Sequence, residues 1–367
     1  MPFMLMRLYR FMTRHIDGIL LCGIVLLMFT GLLVLLSASN GSYVRVSGQL
    51  VNMLVALGVM WLFANIPPHY LMRMALPLFV LGCGLLIGVA LFGDVVNGAR
   101  RWLHIGVTRI QPSELMKIAL PLMLAWYFNR NEASLKLRNY AIAALILAFP
   151  AALIVRQPDL GTALLIIASG SYVIFLAGLS WRVIATLFVA GLASLPFLWS
   201  ALHDYQRQRI MTLLDPTGDP LGTGYHTIQS TIAVGSGGIL GKGWMNGTQT
   251  HLDFIPERTT DFIFAVYAEE FGLLGNMVLL ALLLFVIGRA MVITANAPTL
   301  FARLLAGAIT LTFFTYAFVN IGMVSGILPV VGVPLPLISY GGTSLVSICL
   351  GFGILMSINT HKKLVQT

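Results

Sequence analysis

Long apolar runs separated by short polar segments dominate the chain. Windows of about 19 residues resolve ten such runs, each close to the roughly 20 residues that a helix needs to cross a bilayer core. The runs are 18–37, 47–66, 71–92, 112–129, 139–155, 160–178, 182–201, 262–288, 301–325 and 340–359. Because they are continuous and do not alternate with polar residues, they predict helices and exclude membrane-barrel strands. The pattern predicts an all-α integral membrane protein with about ten transmembrane helices, in one domain spanning residues 1–367.

Composition narrows the class further. Hydrophobic residues make up 58% of the chain and charged residues only 10%, whereas a soluble domain carries about 25% charged residues. This balance excludes a soluble globular enzyme. The net charge of +9 does not indicate nucleic acid, because no cationic cluster with interleaved aromatic residues is present. Anionic lipid headgroups or a phosphate-bearing lipid are the expected partners of the basic residues.

The distribution of charge predicts the orientation. An even number of spans places both termini on one side, and if that side is the cytoplasm, twelve Lys and Arg residues lie inside against five in short outer loops. The positive-inside rule therefore favours cytoplasmic termini. Eight acidic residues fall on the opposite face: Asp94, Asp159, Asp204, Asp215, Asp219, Asp253, Glu257 and Asp261. Titratable groups that gather on one face predict extracytoplasmic chemistry.

Three longer segments interrupt the series of apolar runs. Residues 93–111 are rich in polar and basic side chains, and residues 202–261 form the longest extramembrane segment, with repeated Gly and Pro. We expect this large extracytoplasmic loop before the eighth span to fold back over the bundle, because structureless loops of that length are uncommon. Residues 325–343 are apolar but contain several helix breakers. They predict a re-entrant or half-buried loop packed on protein. Its residues 325–337 are a candidate docking or gating surface.

The fourth span opens with a buried-charge motif. Pro112 suits a first helical turn, Glu114 favours the positive end of the helix dipole, and Lys117 follows at i+3 on the same face. One interpretation is a dipole-stabilising acid beside a lysine that extends to the interface. The other is an anion-binding site facing an interior cavity, since charge within a membrane is expensive.

Two aspartates stand immediately before spans. Asp159 precedes the sixth span, with Arg156 nearby, and Asp261 precedes the eighth. Each could simply cap its helix. Alternatively, Asp159 adds a functional carboxylate at the outer boundary, beside Arg156. Asp261 has a functional alternative, because a carboxylate at the water boundary can stay ionised and yet be partly desolvated, as a general base requires. Glu269 and Glu270 lie too deep to share its reacting atom, and we expect them to have structural roles.

Motifs for other chemistries are missing from the sequence. No nucleophile elbow, phosphate loop, zinc-protease helix or dinucleotide fingerprint occurs. The seven histidines are scattered without metal-ligand spacing. No metal is assigned, and a divalent cation such as Mg²⁺ or Mn²⁺ beside an aspartate and a pyrophosphate is left open.

Five motifs in order resemble the SEDS family (shape, elongation, division and sporulation) of peptidoglycan glycosyltransferases over essentially the whole chain. They are 98–103 (GARRWL), 111–117 (QPSELMK), 157–162 (QPDLGT), 256–264 (PERTTDFIF) and 320–344, which ends in SYGGTS. Residues 247–258 resemble the elongation branch, RodA, more than the division branch, FtsW. Thr259 stands where family members often have His, so no acid/base role is expected there.

The resemblance implies the substrate, the reaction and the partners. The substrate would be lipid II, a disaccharide-pentapeptide on undecaprenyl pyrophosphate, and the reaction would form a β-1,4 bond with inversion. Partners would be a class B penicillin-binding protein, which is a transpeptidase, and other elongation-machinery membrane proteins. We assign Asp261 as the catalytic base. The expected pyrophosphate ligands are Lys117, Arg101, Lys242, Arg109 and Arg258, and the expected supporting residues are Glu114, Asp159, Trp102, Ser339 and Tyr340.

Two other functions remain open at this point. A flippase or transporter of lipid-linked precursors would also have ten spans and buried charges, but with polar residues near mid-membrane. A non-catalytic scaffold of the cell-wall machinery would tolerate loss of Asp261 and Lys117. The crowding of charge at the outer boundary favours an enzyme over a transporter.

Overall fold

The computed structural model describes residues 13–96, 99–105, 108–132, 135–157, 159–201, 204–218, 224–252, 254–255 and 257–361. Most of these residues are helical. The helices, numbered in chain order, are α1 Gly18–Ala38, α2 Tyr43–Ala64, α3 Pro68–Phe92, α4 Pro112–Arg130, α5 Leu137–Val155, α6 Leu160–Leu176, α7 Trp181–Ala201, α8 Asp204–Leu214, α9 Tyr225–Ser236, α10 Thr248–His251, α11 Ile263–Ala295, α12 Leu300–Val324 and α13 Thr343–Thr360. A 3₁₀ turn, Pro216–Gly218, follows α8.

The ten predicted runs all correspond to helices, namely α1 to α7 and α11 to α13, which confirms the all-α class. The largest difference is at the end of α11, which continues to Ala295. Within the described ranges, α1, α2, α3, α5, α11, α12 and α13 are long and apolar enough to cross a membrane by length and composition. The chain is therefore a multi-pass membrane protein, and the count of ten spans stays a prediction.

A small sheet follows α3, where the sequence predicted only a polar segment. Its strands are β1 Asp94–Val96, β2 Ala99–Ile105 and β3 Thr108–Ile110. They pair antiparallel in the order β1-β2-β3, so β2 is central. In this register Trp102 stands opposite Asp94. The sheet holds Arg101 and Trp102 beside the first turn of α4.

Helix α12 lies at the centre of the bundle and packs against α4, α6, α11 and α13. Helix α2 packs along α13, and α1 packs along α11. Apolar side chains of α12 such as Leu304, Leu305 and Phe313 are buried in the common core. Because α12 is central, some of its polar residues are also buried inside the protein. They contribute to the site described below.

The long segment before α11 folds back against the bundle, as its length predicted. Helix α11 is broken at Gly272, whose backbone is left-handed (φ 61°, ψ −160°). Residues 238–243 lie in the break: the Lys242 and Gly243 N–H groups donate to the carbonyls of Glu269 and Glu270, each at 3.0 Å. Leu273 N–H donates in return to the Gly238 carbonyl at 2.9 Å. The loop thus satisfies backbone groups that would be costly in a membrane.

A polar cluster closes the opposite end of the bundle, where α1 begins and α13 ends. Asp17 caps α1 by accepting from Leu20 N–H at 2.9 Å. Its carboxylate also pairs with Arg289 at 2.6 Å and accepts from Asn359 at 2.8 Å. The cluster joins α1, α11 and α13.

Candidate active site

Lys117 and Glu114 form a buried ion pair in the first two turns of α4. The Lys117 ammonium lies 2.6 Å from Glu114 Oε1, and the two side chains are only 7% and 14% exposed. Ser347 of α13 donates to Glu114 Oε2 at 2.7 Å. The ammonium also lies over the ring of Tyr316, 5.0 Å from its centroid. A buried pair of this kind holds its charges only because each has a partner.

A second ion pair joins the sheet to α6. Arg101 Nε lies 3.5 Å from Asp159 Oδ2. The other oxygen of Asp159 accepts from Thr162 N–H at 3.2 Å, which caps α6. The two interpretations of Asp159 are therefore compatible, because one carboxylate both caps the helix and holds a cation.

The two ion pairs line one cavity of about 200 Å³. Strand β2 contributes Arg101 and Trp102, α4 contributes Glu114 and Lys117, and α6 begins at its wall with Asp159. Other walls of the cavity include Tyr316 of α12, Ser344 of α13 and the loop residues 332–334. The structure thus brings together five of the sequence-predicted site residues: Arg101, Trp102, Glu114, Lys117 and Asp159.

Asp261 stands at the edge of this cavity. It lies in the turn before α11, and its Oδ2 is close to the backbone of Gly332: a Cβ added to Gly332 would be 3.3 Å from that oxygen. Gly332 itself lines the cavity. Asp261 is thereby connected through one glycine to the space that contains Lys117 and Arg101.

The peptide bonds around Asp261 are fixed by α12 and by the loop that follows it. Asn320, which is fully buried, donates through Nδ2 to the carbonyls of Asp261 and Val333, both at 2.7 Å. The amide holds the Asp261 turn and the cavity loop in a fixed relation. Asn320 is not among the site residues predicted from the sequence, although an amide in an apolar span is rare enough to indicate a specific role.

Ser339 and Tyr340 hold the same turn by hydrogen bonds to its backbone carbonyl groups. The Ser339 hydroxyl donates to the Thr260 carbonyl at 2.6 Å, and Tyr340 N–H donates to the Thr259 carbonyl at 2.9 Å. Gln49 of α2 in turn donates to the Ser339 carbonyl at 3.2 Å. These contacts position the turn before α11.

The loop 325–342 packs mainly inward. Val333, Leu335, Leu337 and Ile338 are at most 2% exposed, whereas Ile327 is 71% exposed. The idea of a docking surface along residues 325–337 is therefore wrong for its second half, because those apolar side chains already contact the protein. The alternative interpretation, packing on the protein, fits this part of the loop.

The surroundings of Asp261 change its acidity. Burial, followed by the nearby Glu257 carboxylate, raises the pKa of Asp261 to about 6. Both effects oppose ionisation, the first by desolvation and the second by like-charge repulsion. A carboxylate with a pKa near 6 is mostly ionised at neutral pH and accepts a proton more readily than an ordinary aspartate, as a general base requires.

Two predicted phosphate ligands have other partners. Lys242 pairs with Glu269 at 2.7 Å, and Glu269 also accepts from the backbone N–H groups of Gln249 and Thr250. Glu269 is fully buried and needs this counter-charge. Arg258 donates to the carbonyls of Ala38 and Thr250 at 2.6 and 2.5 Å. Among the described residues neither cation lines the cavity, and their role as phosphate ligands stays a prediction.

The last predicted ligand and the metal receive no support from geometry. The Arg109 side chain lies outside the described residues, and only its backbone, in β3, is placed. In the described part of the chain no group of three or more His, Cys, Asp or Glu residues could hold a metal ion. Glu114 and Asp159 each face a cationic side chain. A divalent cation stays a prediction.

Comparison with known proteins gives consistent matches over nearly the full length. Residues 9–364 match the FtsW/RodA/SpoVE family, described as cell cycle proteins. A relative from Escherichia coli, named peptidoglycan glycosyltransferase MrdB, is 50% identical over 353 residues, which cover 96% of this chain and 95% of the relative.

Two solved structures share the fold. One belongs to work described as "Structural coordination of polymerization and crosslinking by a peptidoglycan synthase complex"; it has a TM-score of 0.82 at 34% identity and covers 95% of this chain and 99% of the other. The second is the rod shape determining protein RodA of Thermus thermophilus, with a TM-score of 0.72 at 28% identity, covering 95% and 98% of the two chains.

Proposed function

This chain belongs to the FtsW/RodA/SpoVE family and is a peptidoglycan glycosyltransferase, and we propose that it polymerises lipid II at the cavity beside Asp261. The observation that carries the proposal is the position of Asp261, a carboxylate with a pKa of about 6, next to a cavity lined by Lys117 and Arg101. A base and cations in one place suit transfer of a sugar from a diphosphate.

The proposed step is a single displacement. The 4-hydroxyl oxygen of the acceptor sugar attacks the anomeric carbon of the donor, and the bond from that carbon to the diphosphate oxygen breaks. The hydroxyl proton passes to Asp261, and the electron pair of the broken bond stays on undecaprenyl diphosphate. Because diphosphate leaves without protonation, the site needs one base and positive charge, unlike glycoside hydrolysis, which uses two carboxylates.

Lys117 and Arg101 supply that positive charge in our proposal. Each is held by a carboxylate, Glu114 or Asp159, so the cations are oriented before the substrate arrives. Preorganised charge aimed at a developing anion is the most effective electrostatic contribution to catalysis. Trp102 lines the same cavity and offers apolar surface to a sugar ring.

We also propose a membrane orientation and a partner. Both termini face the cytoplasm and the cavity faces outward, as the excess of Lys and Arg on the terminal side favours. The structural neighbour that coordinates polymerization with crosslinking supports joint work with a class B penicillin-binding protein. Further elongation-machinery membrane proteins are proposed on the family resemblance alone.

Polymerisation of lipid II by the purified protein, together with its partner, tests the function. Wild-type protein should form glycan strands, and Asp261→Asn should fold normally but form none. Asp215→Asn is the matched control, because Asp215 is an exposed acid of the same long segment and should keep full activity. Wild-type polymerisation by Asp261→Asn would refute the base. Precursor transport into liposomes without polymer would favour a transporter.

A further inference from the structure

Three polar side chains occupy one buried face of α12 at intervals of four residues: Thr312, Tyr316 and Asn320. In each of them an oxygen atom is buried and lacks a hydrogen-bond partner within the described part of the protein. Buried polar groups are almost always paired, since an unpaired one lowers stability. The unpaired oxygens of this row therefore indicate side chains that hydrogen-bond to a ligand.

Tyr316 is the member of this row that lines the cavity of the ion pairs. It is 2% exposed, and its ring lies beneath the Lys117 ammonium. Its hydroxyl faces Lys117 and Ser344, yet no described atom meets it with hydrogen-bond geometry. The Ser344 hydroxyl, also in the cavity wall, is buried and unpaired in the same way.

The three groups present hydrogen-bond donors to one region of the cavity. Lys117 gives one of the three ammonium hydrogens to Glu114, so donor capacity remains. Tyr316 and Ser344 each carry one hydroxyl hydrogen. Two neutral hydroxyls and one ammonium form a set that suits an anionic oxygen, because hydrogen bonds from such donors to a charged acceptor are the strong ones.

We propose that Tyr316 and Ser344 are further catalytic residues, whose hydroxyls bind, together with the Lys117 ammonium, a phosphate oxygen of the departing diphosphate. This inference rests on the proposed glycosyl transfer. As the bond from carbon to the diphosphate oxygen breaks, its electron pair adds charge to the diphosphate, and the hydroxyls donate to that charge. Asp261 receives the proton from the acceptor and plays no part in this subsite.

Tyr316→Phe separates this role from a structural one. The substitution keeps the ring beneath Lys117 and removes only an unpaired oxygen. We therefore expect the thermal unfolding temperature to stay constant or rise, while kcat for lipid II falls by about 10- to 100-fold, as loss of a hydrogen bond to a charged group predicts. Ser344→Ala should change kcat in the same direction.

The matched control is Tyr140→Phe. The Tyr140 hydroxyl donates to the Ala177 carbonyl at 3.0 Å, between α5 and the end of α6. This variant should lose some stability and keep the wild-type kcat. The proposal requires that Tyr316→Phe lowers kcat without lowering the unfolding temperature, and that Tyr140→Phe lowers the unfolding temperature without lowering kcat. Unchanged kcat in Tyr316→Phe, or a loss of kcat that accompanies a lower unfolding temperature, would overturn it.

Binding of inorganic pyrophosphate tests the subsite without turnover. Pyrophosphate should raise the unfolding temperature of Asp261→Asn, and should fail to do so in the double variant Asp261→Asn with Tyr316→Phe. Equal stabilisation of both proteins would refute the subsite. Wild-type polymerisation by Asp261→Asn would instead refute the proposed base, so the two failures are distinguishable.

Discussion

The carboxylate of Asp261 lies against the backbone of Gly332, so closely that a Cβ at position 332 would be 3.3 Å from Oδ2. Gly332 also has a left-handed backbone, with φ of 73°, and lines the cavity. The glycine thus meets two requirements at once: a conformation that other residues rarely adopt and room for the base.

Gly332→Ala should impair catalysis more than stability. The left-handed backbone costs an alanine about 1–2 kcal/mol in unfolding free energy, and displacement of Asp261 should lower kcat by about 10- to 100-fold. Gly41→Ala is the control, because Gly41 has φ of 76° and open space around it. It should lose similar stability and keep kcat. Equal kcat in the two variants would contradict the role of this contact.

Variants of the Lys117–Glu114 pair should affect stability and activity differently. Lys117→Met leaves the Glu114 charge buried without its cation, which should lower the unfolding free energy by about 3–5 kcal/mol. Adding Glu114→Gln removes that charge and should restore most of the stability, while polymerisation of lipid II stays lost. Thermal unfolding and strand formation by the three variants check this. Wild-type polymerisation by the double variant would show that the pair is only structural.

Substitutions that disturb the break in α11 should lower the stability of the protein. A Cβ on Gly241 would be 2.1 Å from the Glu270 carbonyl oxygen. Gly241→Ala should therefore lower the unfolding free energy by about 2–4 kcal/mol, through overlap and left-handed strain. Gly235→Ala, which meets nothing within 4 Å, is the control; because Gly235 lies in α9, it should be as stable as the wild type or more stable by about 0.5–1 kcal/mol. Thermal unfolding of both proteins is the measurement, and equal stability would contradict the packing of residues 238–243 into the break.

The parts of the site that follow from local sequence could be predicted. A spacing of three on one helix places Glu114 beside Lys117 whatever the surrounding fold, and Asp159 precedes an apolar run, so its capping role is local. The ten helices follow from apolar length for the same reason. The small sheet was missed because its outer strands have only three residues each.

The parts that depend on tertiary packing could not be predicted. Lys242 resembles a free cation in the sequence, but the fold returns its loop to Glu269. Asn320 and Tyr316 belong to an apolar span, and only the rotation of α12 shows which buried face they share. Gly332 is one of several loop glycines, and its contact with Asp261 links segments 71 residues apart along the chain.

The pH dependence of kcat/KM for lipid II polymerisation tests the central claim, that Asp261 is the base. Because the base must be deprotonated, the rate should rise with pH through an apparent pKa of about 6. Glu257→Gln removes the neighbouring negative charge that raises this pKa, so the acid limb should move to lower pH. An acid limb that stays in place in Glu257→Gln, or a wild-type rate without any acid limb near pH 6, would contradict the account.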